Sequence, residues 1–248
     1  MITFETVNEL TLKVTCTGTD TIYTKAGAFI AGENPGQKNY TFEKMLLGPQ
    51  QSGGFMQAAL GSLKRHITGE NLPLMKCTFQ GDSVTYYANQ AQHVIAYKLE
   101  MGETVSLESE NILAFTSDCK YDVRFIGSGV VSQKGLATST LTAQGPNAYV
   151  AILSDGNPIV LSNHGTQNTL SVDPDSVICW MGQGNCDPSI TFDVNWKNFL
   201  GQSSGESYSF LWGSATPVSV VVQPNERMSG VSVSVDGGVT GSRPNLPR

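Results

Sequence analysis

Apolar and polar residues alternate with a period of two along most of this chain. Leu10, Leu12, Val14 and Cys16 fall on one face of the first such segment, and Ile190, Phe192, Val194 and Trp196 on one face of a late one. Successive side chains of a strand point to opposite faces, so this period predicts half-buried β-strands. The pattern returns at 95–99, 121–125, 140–143, 218–222 and 231–235, and turn residues separate nearly all of these segments. One stretch breaks the rule. Phe55, Ala59, Leu63 and Ile67 stand four apart, which predicts one short helix over 54–67 with its apolar face docked on a sheet. The competing use of that face, against a partner or a membrane surface, is weakened because Lys64 and Arg65 are too few cations to hold anionic lipid. Residues 33–39 and 48–53 read as polar loops, and 237–248 as a flexible tail after a single domain over 1–236.

Internal repetition organises these strands. Tyr121-Asp122-Val123-Arg124-Phe125 returns as Phe192-Asp193-Val194-Asn195-Trp196, and Thr68-Gly69-Glu70-Asn71-Leu72-Pro73-Leu74 as Ser204-Gly205-Glu206-Ser207-Tyr208-Ser209-Phe210. A weaker middle copy begins at Lys134-Gly135-Leu136-Ala137-Thr138, and Thr21-Ile22-Tyr23-Thr24, Thr104-Val105-Ser106-Leu107 and Ser176-Val177-Ile178-Cys179 take comparable places. Three units follow, about 10–89, 94–154 and 168–224, the first enlarged by the loops and the helix. A unit this small buries little alone, so the expected fold is all-β, with three repeats packed under pseudo-threefold symmetry around one core.

Composition agrees with many short strands joined by tight turns: the 248 residues include 26 glycines and only 15% charged residues. The net charge of −6 comes from interleaved acids and bases, leaving no basic stripe to neutralise phosphates, so nucleic acid is not an expected partner. No apolar run reaches the roughly 18–20 residues of a membrane span, and the first residues lack the pattern of an export signal. A cytoplasmic location is the expectation. Cys16, Cys77, Cys119, Cys179 and Cys186 make an odd count without a C-x-x-C pair, which reads as separate reduced thiols used as small apolar side chains.

Three segments together resemble the altered-inheritance-of-mitochondria family in its bacterial form: 61–72, Asp187-Pro188-Ser189-Ile190-Thr191-Phe192-Asp193-Val194-Asn195, and Gly201-Gln202-Ser203-Ser204-Gly205-Glu206-Ser207-Tyr208. The likeness spans roughly 5–224. It implies a three-repeat β fold similar to the tryptophan RNA-binding attenuation protein, of the shortened double-stranded β-helix type. It implies no activity and no catalytic residues, and its fungal relatives are tied genetically to mitochondrial organisation. Fold likeness alone does not extend to RNA binding.

The candidate chemistry reduces to turns. Gly201-Gln202-Ser203-Ser204-Gly205 spells a nucleophile elbow, which needs a strand before the serine and a helix after it. A strand-like run follows instead, so Ser203 reads as a turn residue and serine hydrolysis is a remote alternative. His66, His93 and His164 are unpaired at metal-ligand spacing; beside Lys64 and Arg65, His66 suits a helix C-terminus. Asp173-Pro174-Asp175 and Asp187-Pro188 are turn signals first and weak calcium contacts second. Gly182-Gln183-Gly184-Asn185 lacks the third glycine and the helix of a phosphate cradle. The expectation is therefore a non-enzymatic protein with no cofactor, no metal and no assigned site residue. It would act through an unknown protein partner or as a homo-oligomer, with small-molecule binding as the alternative.

Overall fold

The computed structural model describes residues 1–45, 74–126, 136–191 and 209–224. The expected helix at 54–67, the tail, His66, Ser203 and the repeat motifs at 61–73 and 192–208 lie outside them. Among the described residues, the eighteen strands after β1 (Ile2–Val7) fall into three groups of six. The first holds β2 (Thr11–Cys16), β3 (Thr19–Lys25), β4 (Phe29–Glu33), β5 (Tyr40–Met45), β6 (Leu74–Gln80) and β7 (Ser83–Tyr87). The second holds β8 (His93–Lys98), β9 (Glu103–Leu107), β10 (Ile112–Thr116), β11 (Cys119–Ile126), β12 (Leu136–Ala143) and β13 (Tyr149–Ser154). The third holds β14 (Ile159–Ser162), β15 (Leu170–Val172), β16 (Val177–Gln183), β17 (Ser189–Thr191), β18 (Ser209–Trp212) and β19 (Ser219–Val222).

All pairings among the described residues are antiparallel and repeat the same plan. In each unit the first, sixth and third strands form one half-sheet, and the second, fifth and fourth form the other. The second strand of one unit then pairs with the third strand of the next, as β3 with β10 and β9 with β16. The sheets that result run β1-β2-β7-β4, β5-β6-β3-β10-β13-β8, β11-β12-β9-β16-β19-β14 and β15-β18-β17. A register shift recurs at one place in the third strand of every unit, between Phe29 and Ala31, Ile112 and Ala114, and Val177 and Cys179. Threefold repetition is thus present as three small sandwiches joined strand to strand, without closure into a barrel among the described residues.

This register corrects one part of the sequence expectation. Thr24 and Leu107 occupy the same position, because each faces the residue after the bulge on the next unit, Ala114 and Cys179. Counting back to the bulge in the third unit places Val172 there, so the third copy of Thr21-Ile22-Tyr23-Thr24 is Thr169-Leu170-Ser171-Val172. Ser176-Val177-Ile178-Cys179 instead opens the following strand. The two segments are alike in β-branched content, which blurred the assignment.

The core divides in the same way. One apolar cluster joins strands of the first and second sheets through Leu12, Val14, Ile22, Phe79, Tyr87 and Leu113. Another joins the second and third through Val105, Ile112, Phe115, Leu141, Ile152 and Ile178. The last joins the third and fourth through Val177, Trp180, Phe210, Trp212, Val218 and Val220. The two middle sheets are therefore covered on both faces. Their strands β10 and β16 are buried over almost their whole length, which is why they read as continuous apolar runs instead of alternating. β1 lies outside the repeats and packs onto the second unit, with the Phe4 and Tyr149 rings 5.6 Å apart.

Candidate functional site

Among the described residues, two places concentrate polar chemistry. The first is an open groove of about 340 Å³ at one end of the first half-sheet, where β2 and β4 end and β7 begins. Thr15, Cys16, Glu33, Asn34, Asp82 and Ser83 contribute to its lining. Its two carboxylates have structural partners: Asp82 Oδ1 accepts the Gly18 N–H at 2.9 Å, and Glu33 Oε1 accepts the Tyr86 hydroxyl at 2.8 Å. That bond raises the Tyr86 phenol above its ordinary value. The Cys16 thiol donates to the Gly18 carbonyl at 3.4 Å, and burial, with Asp20 adding to it, pushes it up to about 11. It is no nucleophile at neutral pH. The acceptors of this lining suit a small donor-bearing or cationic group.

The second place joins the second and third units. Arg124 on β11 donates through Nη2 to Asp187 Oδ1 at 2.5 Å and to Ser106 Oγ at 2.7 Å, the latter on β9. The Asp187 carboxyl is held above its usual range, chiefly by burial, with Arg124 pulling it the other way. The Trp180 indole also lowers it, although its N–H makes no hydrogen bond of good geometry. Beside this pair, Trp212 Nε1 donates to the Cys186 carbonyl at 2.9 Å. This ion pair fastens the third unit to the second.

The remaining candidates scatter. His93 opens β8 opposite Ser154, and His164 is exposed in the loop after β14. The neighbour of His164 matters more: Asn163, 2% exposed, donates to the carbonyls of Gly213 and Thr216 and accepts the Val218 N–H at 2.8 Å. A lone asparagine in a polar loop gave no sequence signal, because its partners lie 50 or more residues away. Asp173 caps the short 3-10 turn Pro174–Ser176 by accepting the Asp175 N–H at 3.0 Å. Gly182 belongs to β16, where a side chain would meet the Pro217 carbonyl, and Gly184 takes a positive φ of 70° in the turn beyond. No group of three His, Cys, Asp or Glu side chains able to hold a metal occurs among the described residues.

All five cysteines are free and buried. Burial pushes the thiols of Cys77 and Cys119 up to about 11, like Cys16, and raises those of Cys179 and Cys186. An aromatic disulfide reagent at neutral pH is therefore expected to titrate all five only after denaturant is added. Rapid labelling of any thiol in the native protein would contradict this packing.

The sequence pattern described as Mitochondrial biogenesis AIM24 matches residues 4–224. The chain belongs to the AIM24 family. Among solved structures, the AIM24 chain is similar to the crystal structure of protein SPYM3_0169 from Streptococcus pyogenes, with a TM-score of 0.62 and 17% identity over 91% of this chain and 94% of that one. At that identity the likeness concerns the fold: all-β, built of repeats. Comparison with curated proteins gives no match. No helix among the described residues is long and apolar enough to cross a membrane.

Proposed function

We propose that this AIM24 protein is a non-enzymatic β scaffold of the cytoplasm that acts through protein contacts, including contacts with its own copies. The observation that carries this reading is the state of the end sheets. The two middle sheets each combine half-sheets from consecutive units, whereas β4 and β15 lie at sheet edges with no strand beyond them among the described residues. An unpaired edge is a template for another strand. Two further facts support it: Asp82, Glu33, Arg124 and Asp187 are committed to structural bonds, and a net charge of −6 disfavours nucleic acid. Sedimentation of the purified chain is expected to show association, or a pull-down at native abundance to recover a stoichiometric partner. A strict monomer without a partner would count against the proposal.

The groove at the ends of β2 and β4 favours a second reading, a binder of small donor-bearing molecules. Native mass spectrometry of freshly purified protein would then reveal a bound mass. Spectra of the bare chain, with no change in melting temperature across cationic and polar metabolites, would remove it.

A further inference from the structure

We infer that two copies of this chain join head to tail, β15 of one copy pairing with β4 of the next. The inference rests on the protein-contact reading and specifies its surface, partner and register. The order β17-β18-β15 at the end of the chain and β4-β7-β2 at its start are the two halves of a six-stranded sheet. They match β5-β6-β3 with β10-β13-β8, and β11-β12-β9 with β16-β19-β14. Joining the last half of one copy to the first half of another reproduces a joint that the chain already makes twice within itself.

The register follows from the two internal joints. Ala114 faces Thr24 and Phe115 faces Tyr23 in one; Cys179 faces Leu107 and Trp180 faces Ser106 in the other. Transferred to the equivalent positions, Ala31 faces Val172 of the second copy, Gly32 faces Ser171 and Glu33 faces Leu170. Exposure gives an independent indication. Ile30 stands at the bulge position that Leu113 and Ile178 hold in the other units; those are 0% and 1% exposed, and Ile30 is 55% exposed. At the opposite end, Ile159 faces Val222 as Leu12 faces Tyr87. It is 57% exposed where Leu12 is fully buried. Leu12 shares a core cluster with Leu113 of the next unit, so the joint brings Ile159 of one copy to Ile30 of the other.

The same comparison sets the strength of the contact. Lys13, Tyr86 and Glu33 stand on the outer face of the first sheet where the second unit has Ala96, Ala151 and Thr116. Tyr86 bonds to Glu33, and Lys13 pairs with Glu5 at 3.3 Å. Some polar surface must be desolvated when the copies meet, so the joint is reversible and depends on concentration. An interface of this heterologous kind grows into a ring or a filament according to its rotation.

Sedimentation velocity of the full chain across the micromolar range tests it, with Ile30→Lys spoiling one end and Ile159→Lys the other. Both side chains are exposed, so the variants should keep the wild-type far-UV spectrum. The wild type is expected to sediment faster as concentration rises, and each variant alone to remain a monomer. Mixed in equal amounts, the variants retain one good end each and should form dimers and nothing larger. A wild-type monomer throughout overturns the inference while leaving contacts with other proteins open. Association that survives in both variants, or a mixture without dimers, overturns this joint and leaves self-association by another surface standing.

Discussion

Replacing Trp212 with alanine is expected to lower stability by about 3–5 kcal/mol, in the range of large aromatic truncations in cores, and to release the fourth sheet before the rest. Among the described residues that sheet consists of β15, β18 and β17, and it shares no strand pairing with another sheet. Side chains hold it in place. Trp212 is 1% exposed, its ring centroid lies 5.9 Å from that of Trp180 and 6.0 Å from that of Phe210, and its N–H is spent on the Cys186 carbonyl. Trp212→Phe keeps most of the apolar volume and loses the donor, so its cost should fall near the roughly 1–3 kcal/mol of an abandoned buried acceptor. Urea midpoints followed by far-UV circular dichroism would rank wild type above Trp212→Phe and that above Trp212→Ala. Proteolysis of Trp212→Ala should begin within 163–218. A wild-type midpoint for the alanine variant would mean that the sheet is held by something else.

The strand content of this fold was legible because a half-buried strand writes its environment into alternate residues. Leu12, Val14 and Cys16 alternate because β2 has one covered face, and the structure buries those three. The same logic explains where legibility ended. β10 and β16 have both faces covered, so their runs Ile112-Leu113-Ala114-Phe115 and Val177-Ile178-Cys179-Trp180 carry no period from which to read register. The third copy of the Thr21-Ile22-Tyr23-Thr24 motif was accordingly placed seven residues late, at 176 instead of 169, inside a unit already set at about 168–224. The joints between units were hidden for another reason. Pairing of β3 with β10 and of β9 with β16 is a backbone property, and nearly any strand-forming side chain allows it. Of the candidate carboxylates, Asp173 is the turn residue its Asp-Pro context suggested. Asp187 looked the same in sequence, but its partner Arg124 lies 63 residues away, beyond the reach of any local pattern.

Arg124→Met is expected to cost about 1–3 kcal/mol at neutral pH, below the roughly 3–5 kcal/mol of a fully buried pair because the two side chains are 29% and 19% exposed. Methionine preserves length and leaves Asp187 desolvated without its cation. The pH dependence identifies this cause. Burial already raises the folded Asp187 above its ordinary value of 3.8, so the folded chain binds that proton more tightly than the unfolded chain does. The stability this confers is fully present below the unfolded value and is lost as pH rises through the folded one. Removing Arg124 takes away the influence that held the folded value down, so the folded value climbs and the loss spans a wider interval. The gap between wild type and variant should therefore be largest near neutrality and shrink towards about pH 4, where the carboxyl takes up its proton. Adding Asp187→Asn to Arg124→Met removes the unpaired charge and should restore part of the neutral-pH stability while flattening the difference across pH. Urea midpoints of the three proteins at neutral pH and near pH 4 decide the matter. A gap that stays constant with pH would assign the cost to lost packing and the Ser106 bond, and would deny the ion pair its part in fastening the third unit to the second.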